Sequence, residues 1–247
     1  MFDEKSFGDV PVISKLRDHY GSGIDKYIEL RSVDPSRALA TQGDGSHTFF
    51  LILRGWVRLV RLTGDGRAAG TDLLGPGALV GLEQAWRARP WPCEAVACGP
   101  VSVLAVSAAA LRRAAHADAA VAEAVADHLA DLNEFRVQQI EHLSLQSSSQ
   151  RVACYILRQC EQDREERSVA PLPPSKALIA AELSIQPETF SRTLSQLGRE
   201  AGVVVANHHV VVPSLKRLAA HCCQTCSIGF PCKRSQRNQK VPAEESA

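Results

Sequence analysis

Between residues 30 and 106 the apolar positions come in short runs cut by turn signals. Phe49-Phe50-Leu51-Ile52-Leu53 is stopped by Arg54-Gly55, and Trp56 to Leu62 follows with Arg58 and Arg61 among its apolar residues. Gly64-Asp65-Gly66 supplies a turn in which glycine takes a positive φ without steric cost. Gly75-Pro76-Gly77 and then Gly81 break the chain again, before Val96-Ala97-Cys98 and the run Val101 to Val106. Short apolar runs with turn signals every ~8 to 12 residues predict a small antiparallel barrel or roll.

The period changes near Ser107. From Ala108 to about Leu145 there is no Gly and no Pro, and Val125, Leu129, Leu132, Ile140 and Leu143 recur at spacings of three, four or their multiples. That pattern predicts one long amphipathic helix, or two in sequence. Its stripe needs an apolar surface, either a partner helix in a homodimer or the chain's own β domain. Ser147-Ser148-Ser149 reads as a hinge, and Arg151 to Gln162 as a further helix with Val152, Tyr155, Ile156 and Cys160 on one side. The charged residues 161–167 and Pro171-Leu172-Pro173-Pro174 read as a loop.

Two short helices come next. Ser175 to Leu183 is the first, with Ser175 as its cap, and Ser184-Ile185-Gln186 connects it to Pro187 to Leu197. Ile179, Leu183, Phe190, Leu194 and Leu197 can share a core, which leaves Glu188, Thr189, Ser191, Arg192 and Ser195 outside. This is the arrangement of a helix-turn-helix whose second helix enters a major groove of double-stranded DNA. Arg192 can take guanine through O6 and N7, Glu188 can accept from a cytosine amino group, and Ser191 can meet a thymine or a phosphate. Gly202 to Val205 and Val210 to Pro213 then read as a β-hairpin wing.

Charge sharpens the division. Residues 1–150 hold 15 Lys and Arg against 18 Asp and Glu, whereas residues 151–240 hold 13 against 7. The basic part is the part with the helix pair, which fits a polyanion partner. No apolar run approaches the ~20 residues that cross a bilayer, and the N-terminus lacks a basic segment followed by an apolar core, so a cytoplasmic protein is expected. Neither a phosphate-binding loop, Gly-x-Ser-x-Gly nor His-Glu-x-x-His occurs, so no enzyme is expected.

The chain resembles the CRP/FNR family of bacterial transcription regulators over nearly its whole length. The residues that carry the resemblance are Phe49 to Gly55, Gly75-Pro76-Gly77 with Gly81, the long helix to Leu145, and the unit from Leu178 to Leu197. Glu188-Thr189-Phe190-Ser191-Arg192 is similar to the FNR form of the recognition helix, Glu-x-x-Ser-Arg. The resemblance implies an α+β fold: an N-terminal cyclic-nucleotide-binding-like β-roll over 1–107, a long dimerisation helix over 108–146, and a C-terminal winged helix-turn-helix over 147–218, followed here by a cysteine-containing basic tail over 219–247. It also implies a homodimer that reads palindromes of TTGAT-type half-sites and contacts RNA polymerase. Cyclic-AMP-binding members place a Glu just after the position of Gly81 and an Arg-Ser pair farther on. Leu82 and Pro92-Cys93 stand there instead, and a buried phosphate without that cation would be left unpaired. Cyclic nucleotide is not an expected ligand.

Four of the eight cysteines, Cys222, Cys223, Cys226 and Cys232, fall within eleven residues of the tail. Thiolates are soft ligands, and a Cys-x2-Cys step lets two neighbours reach one metal centre. Some FNR-like regulators carry a C-terminal Cys-x2-Cys-x4-Cys cluster, and Cys223-x2-Cys226-x5-Cys232 is one residue longer. The expectation is an iron–sulfur cluster, of the 4Fe–4S kind, on Cys223, Cys226 and Cys232. Cys222 or a residue from elsewhere such as Cys98 would be the fourth ligand. The alternatives are a zinc site on the same thiols, a thiol–disulfide switch, an unliganded tail, and haem in the roll on His19 or His47. Cys93, Cys98, Cys154 and Cys160 are expected in cores.

Overall fold

The alternation along Phe49 to Ile52 explains the architecture of the first half. A computed structural model describes residues 10–65, 68–160, 168–173, 175–206 and 209–222. It divides into two units, one running to Glu134 and the other beginning at Phe135.

In the first unit, α1 (Pro11–Tyr20) and a 3-10 turn (Gly21–Lys26) lead into β1 (Ile28–Val33), β2 (Ala38–Ala40), β3 (Thr48–Arg54), β4 (Val57–Leu62), β5 (Ala68–Leu74) and β6 (Leu79–Val80). Then come α2 (Leu82–Arg87), β7 (Glu94–Ala97), β8 (Val101–Ser107), α3 (Ala108–Ala117) and α4 (Ala119–Leu145), within which the division falls. The strands form two antiparallel four-stranded sheets, ordered β1-β8-β3-β6 and β2-β7-β4-β5. Successive strand side chains point to opposite faces. Phe50 and Ile52, with Val103 and Ala105 of β8, therefore join Val57, Ala95 and Ala97 of the other sheet in one core. Phe49 and Leu51, with Leu104 and Val106, face the helical side and pack with Val12, Ile13, Leu111, Val121 and Val125. Both faces of β3 are buried, which is why its sequence reads as an unbroken apolar run.

Two glycines make this packing possible. Gly55 has φ +84, and a Cβ there would fall 2.4 Å from the Pro100 carbonyl oxygen. Gly75 lies under the Trp56 ring, where a Cβ would fall 2.8 Å from Cζ3. The helical stretch after the roll is two helices. Asp118 is extended, and its Oδ1 accepts from Ala120 N at 3.0 Å, which ends α3 and starts α4.

In the second unit, α5 (Ser148–Gln159) opens on a capping box. Ser147 Oγ accepts from Gln150 N at 3.3 Å, and Gln150 Oε1 accepts from Ser147 N at 2.9 Å. The expected hinge is thus a helix start. After α5 come β9 (Ser168–Pro171), α6 (Lys176–Glu182), α7 (Pro187–Ala201), β10 (Val204–Ala206), β11 (His209–Val212) and α8 (Leu215–Ala219). The wing is a three-stranded antiparallel sheet ordered β10-β11-β9. The region expected to be loop up to Pro171 therefore contributes a strand, and the stretch after Pro213 contributes a helix. The core holds Val152, Ile156, Ile179, Leu183, Phe190, Leu194, Leu197, Val210, Val212 and Leu218. No helix is long and apolar enough to cross a membrane, among the described residues.

Candidate functional site

The two helices of the reading unit are joined by a tight C-terminal cap. Ile185 N donates to Ala180 O at 2.9 Å and Ser184 N donates to Ala181 O at 3.0 Å. This pair of bonds is a Schellman motif, which needs a left-handed residue after the helix. Ser184 supplies it at φ 51, where glycine would be unstrained. Ile185 then turns inward onto the core, and Pro187 starts α7 where its missing N–H is harmless.

On α7 the residues sort by face. Phe190, Thr193, Leu194, Leu197 and Ala201 are buried. Glu188, Ser191, Arg192 and Ser195 are exposed, so the structure brings four of the five expected contact residues to the outer side, while Thr189 is half-buried. Ser195 Oγ donates to Ser191 O at 3.0 Å, turning that hydroxyl back on its own helix. The helix runs past its expected end at Leu197 to Gly202, whose φ of 74 stops it. Arg199 thereby joins the exposed side one turn beyond Ser195. Its spacing of seven from Arg192 and eleven from Glu188 carries that signal in the sequence. Lys176, Lys216 and Arg217 are also exposed, and His209 lies exposed on the wing, paired with Pro171 and Ala206.

The approach to the cysteine tail is part of the same unit. Ser214 caps α8 through Arg217 N at 3.3 Å, and Leu218 is fully buried. His221 Nδ1 lies 3.5 Å from Glu200 Oε2, so the residue before the cysteine run touches the last turn of α7. Cys222 is buried in the core, and its thiol donates to Leu218 O at 3.6 Å. Cys223, Cys226 and Cys232, like His208, lie outside the described residues.

Near the start of the unit, His142 is buried. Its imidazole is pushed down to about 4, first by burial and then by the Arg158 guanidinium, with Glu141 opposing. Nothing in the sequence pattern singled out this residue.

In the roll, Gly81 caps α2 in the left-handed region, Leu82 is fully buried, and Cys93 is buried beside an exposed Pro92. Burial pushes the Cys98 thiol up, with the Arg58 charge and hydrogen bond opposing. His19 Nδ1 lies 3.3 Å from Asp118 Oδ2, while His47 is exposed and covers Gly45.

Two family models match the chain: a cyclic nucleotide-binding domain over residues 30–118 and a Crp-like helix-turn-helix domain over residues 150–221. No curated protein matches. Among solved structures, a protein of Ruegeria pomeroyi described as cyclic-nucleotide-binding is 27% identical with a TM-score of 0.65, covering 88% of this chain and 97% of its own. A regulatory protein of Silicibacter pomeroyi described as cAMP-binding is 28% identical with a TM-score of 0.64, covering 87% and 95%. FixK2 from Bradyrhizobium japonicum is 23% identical with a TM-score of 0.70, covering 80% and 98%.

Proposed function

The chain belongs to the CRP/FNR family of DNA-binding transcription regulators, and we propose that it reads palindromes of TTGAT-type half-sites as a homodimer, under the control of a metal or redox input at its C-terminal cysteines. The observation that carries the reading is the face separation of α7. Its inner row is locked into the core, while Glu188, Ser191, Arg192 and Ser195 are held outward on a rigid helix. Arg192 contacts guanine, Glu188 accepts from cytosine, and Ser191 meets thymine or phosphate. Arg199, Lys216 and Arg217 add phosphate contacts that position the helix without reading sequence. RNA polymerase is the further partner that a regulator of this kind engages.

For the input we propose an iron–sulfur cluster on Cys223, Cys226 and Cys232. Cys222 fits that group poorly, because its sulfur is turned into the core toward Leu218 O. The fourth ligand is then another residue or an exogenous one. When bound, the cluster supplies a redox- or gas-sensitive group. The chain's own contribution would run through His221, which precedes Cys222 directly and lies against Glu200 on α7. Coupling requires that the cluster-bound and cluster-free forms differ in their preference for the DNA-competent state.

The test is anaerobic reconstitution of the full chain with iron and sulfide, followed by absorption spectra, metal content and a mobility shift on a TTGAT palindrome. A brown protein whose selective shift changes on air exposure supports the proposal. Colourless protein with stoichiometric zinc rules out the cluster, and equal affinity for scrambled DNA rules out the reader.

A further inference from the structure

The match over residues 30–118 implies a cyclic nucleotide in the roll, and the residues there do not fit one. Gly81, at φ +80, presents bare backbone at the start of α2. What lies against that backbone is Trp91. A Cβ on Gly81 would fall 2.1 Å from Trp91 Cη2, 2.4 Å from Cζ2 and 2.9 Å from Cζ3. The benzo edge of the indole thus fills the space over the glycine. Trp91 is only 4% exposed. Its ring lies 6.3 Å from that of Phe50, inclined at 37°, and it shares a core with Ile52, Val80, Ala95 and Val103.

The indole is not a loose flap. Trp91 N donates to Asp44 O at 2.9 Å, and Gly43 N donates to Trp91 O at 2.8 Å, so its peptide is pinned on both sides to the turn before β3. The chemistry agrees with the geometry. At the positions where the resemblance places the phosphate-holding Glu and Arg-Ser pair, Leu82 and Pro92-Cys93 supply no cation. A cyclic phosphate buried here would lose its hydration without gaining a partner.

We propose that Trp91 is the roll's own permanent occupant. Its indole takes the volume that a nucleotide would need over Gly81, and the domain folds around that side chain rather than around a diffusible ligand. This is independent of the proposed reader and of the tail, since it rests on the roll alone.

Titration calorimetry of the full chain with cAMP and with cGMP tests the first consequence. No saturable heat is expected up to millimolar nucleotide, and saturable binding at micromolar concentration overturns the proposal. Trp91→Ala tests the second. Its Tm is expected to fall by roughly 10 °C, and millimolar indole is expected to restore part of that loss while leaving the wild-type Tm unmoved. A folded variant indifferent to indole counts against the plug. Should the alanine variant fail to fold, Gly81→Ala is compared in the wild-type and Trp91→Phe backgrounds. Positive-φ strain is common to both, so a smaller Tm loss in the Trp91→Phe background reads the contact with the indole itself. Equal losses in the two backgrounds overturn the proposal.

Discussion

Arg192 stands on the outer side of α7 with no ion pair among the described residues, ready for a base edge. Replacing it by alanine should cost about 1–3 kcal/mol of specific binding, a loss of ~5- to 150-fold, with little change on random DNA. Competition mobility shifts measure both, and an equal loss on the two DNAs would make Arg192 a phosphate contact. His142 carries a different expectation. Its imidazole is pushed down to about 4 by burial and by Arg158, below the ordinary value near 6.5 that it regains on unfolding. Between those values the unfolded chain binds the extra proton, so stability is complete above ~6.5 and is lost as pH falls toward 4. Denaturant midpoints from pH 7 to 4.5 should show that slope, and His142→Gln should flatten it. Arg192 was legible because a charged residue three or four positions from Glu188 and Ser195 marks a face. His142 was not, because burial and the approach of Arg158 arise only when separate helices pack.

At the scale of elements, short segments were the hard ones. Ser168-Val169-Ala170-Pro171 adjoins a charge run and ends in proline, so its strand state comes from pairing with β11, which no local pattern announces. The helix Leu215–Ala219 is five residues long and depends on its Ser214 cap and on burying Leu218. The helix pair was legible because its apolar spacing and its caps agree. Ser184 is the exception, since a serine at φ 51 bears a strain that glycine avoids. Ser184→Gly should raise stability by about 0.5–1 kcal/mol, the strain relief outweighing glycine's added chain entropy. Thermal melts check this, and a lowered Tm would mean that the serine makes a contact worth more than its strain. Along the end of α4, Val137, Ile140, Leu143 and Leu145 are 46–70% exposed, and the first three follow one another at spacings of three. A stripe of this kind is what a partner helix covers. Sedimentation should give the wild type at twice the 26.7 kDa chain mass, and Ile140→Glu should shift it to the single-chain value. Wild-type protein that already sediments as a single chain would exclude the stripe as a dimer interface.

For the molecule as a whole, the order of roll, long helices and winged reader was legible from periodicity and resemblance. The internal filling of the roll was not, because a tryptophan separated from its glycine by nine intervening residues gives no pattern. The two units have separate cores, so calorimetry should resolve two unfolding transitions, of which Ser184→Gly moves only one. A single transition moved as a whole would show that the units unfold together. The packing of indoles also has a practical optical side. All three tryptophans of the chain, Trp56, Trp86 and Trp91, belong to the roll unit, whereas the reading unit has Tyr155 as its aromatic emitter. Excitation at the red edge of the absorption band therefore illuminates one half of the protein alone. Its emission follows the roll, so an unlabelled sample can report on that half by itself.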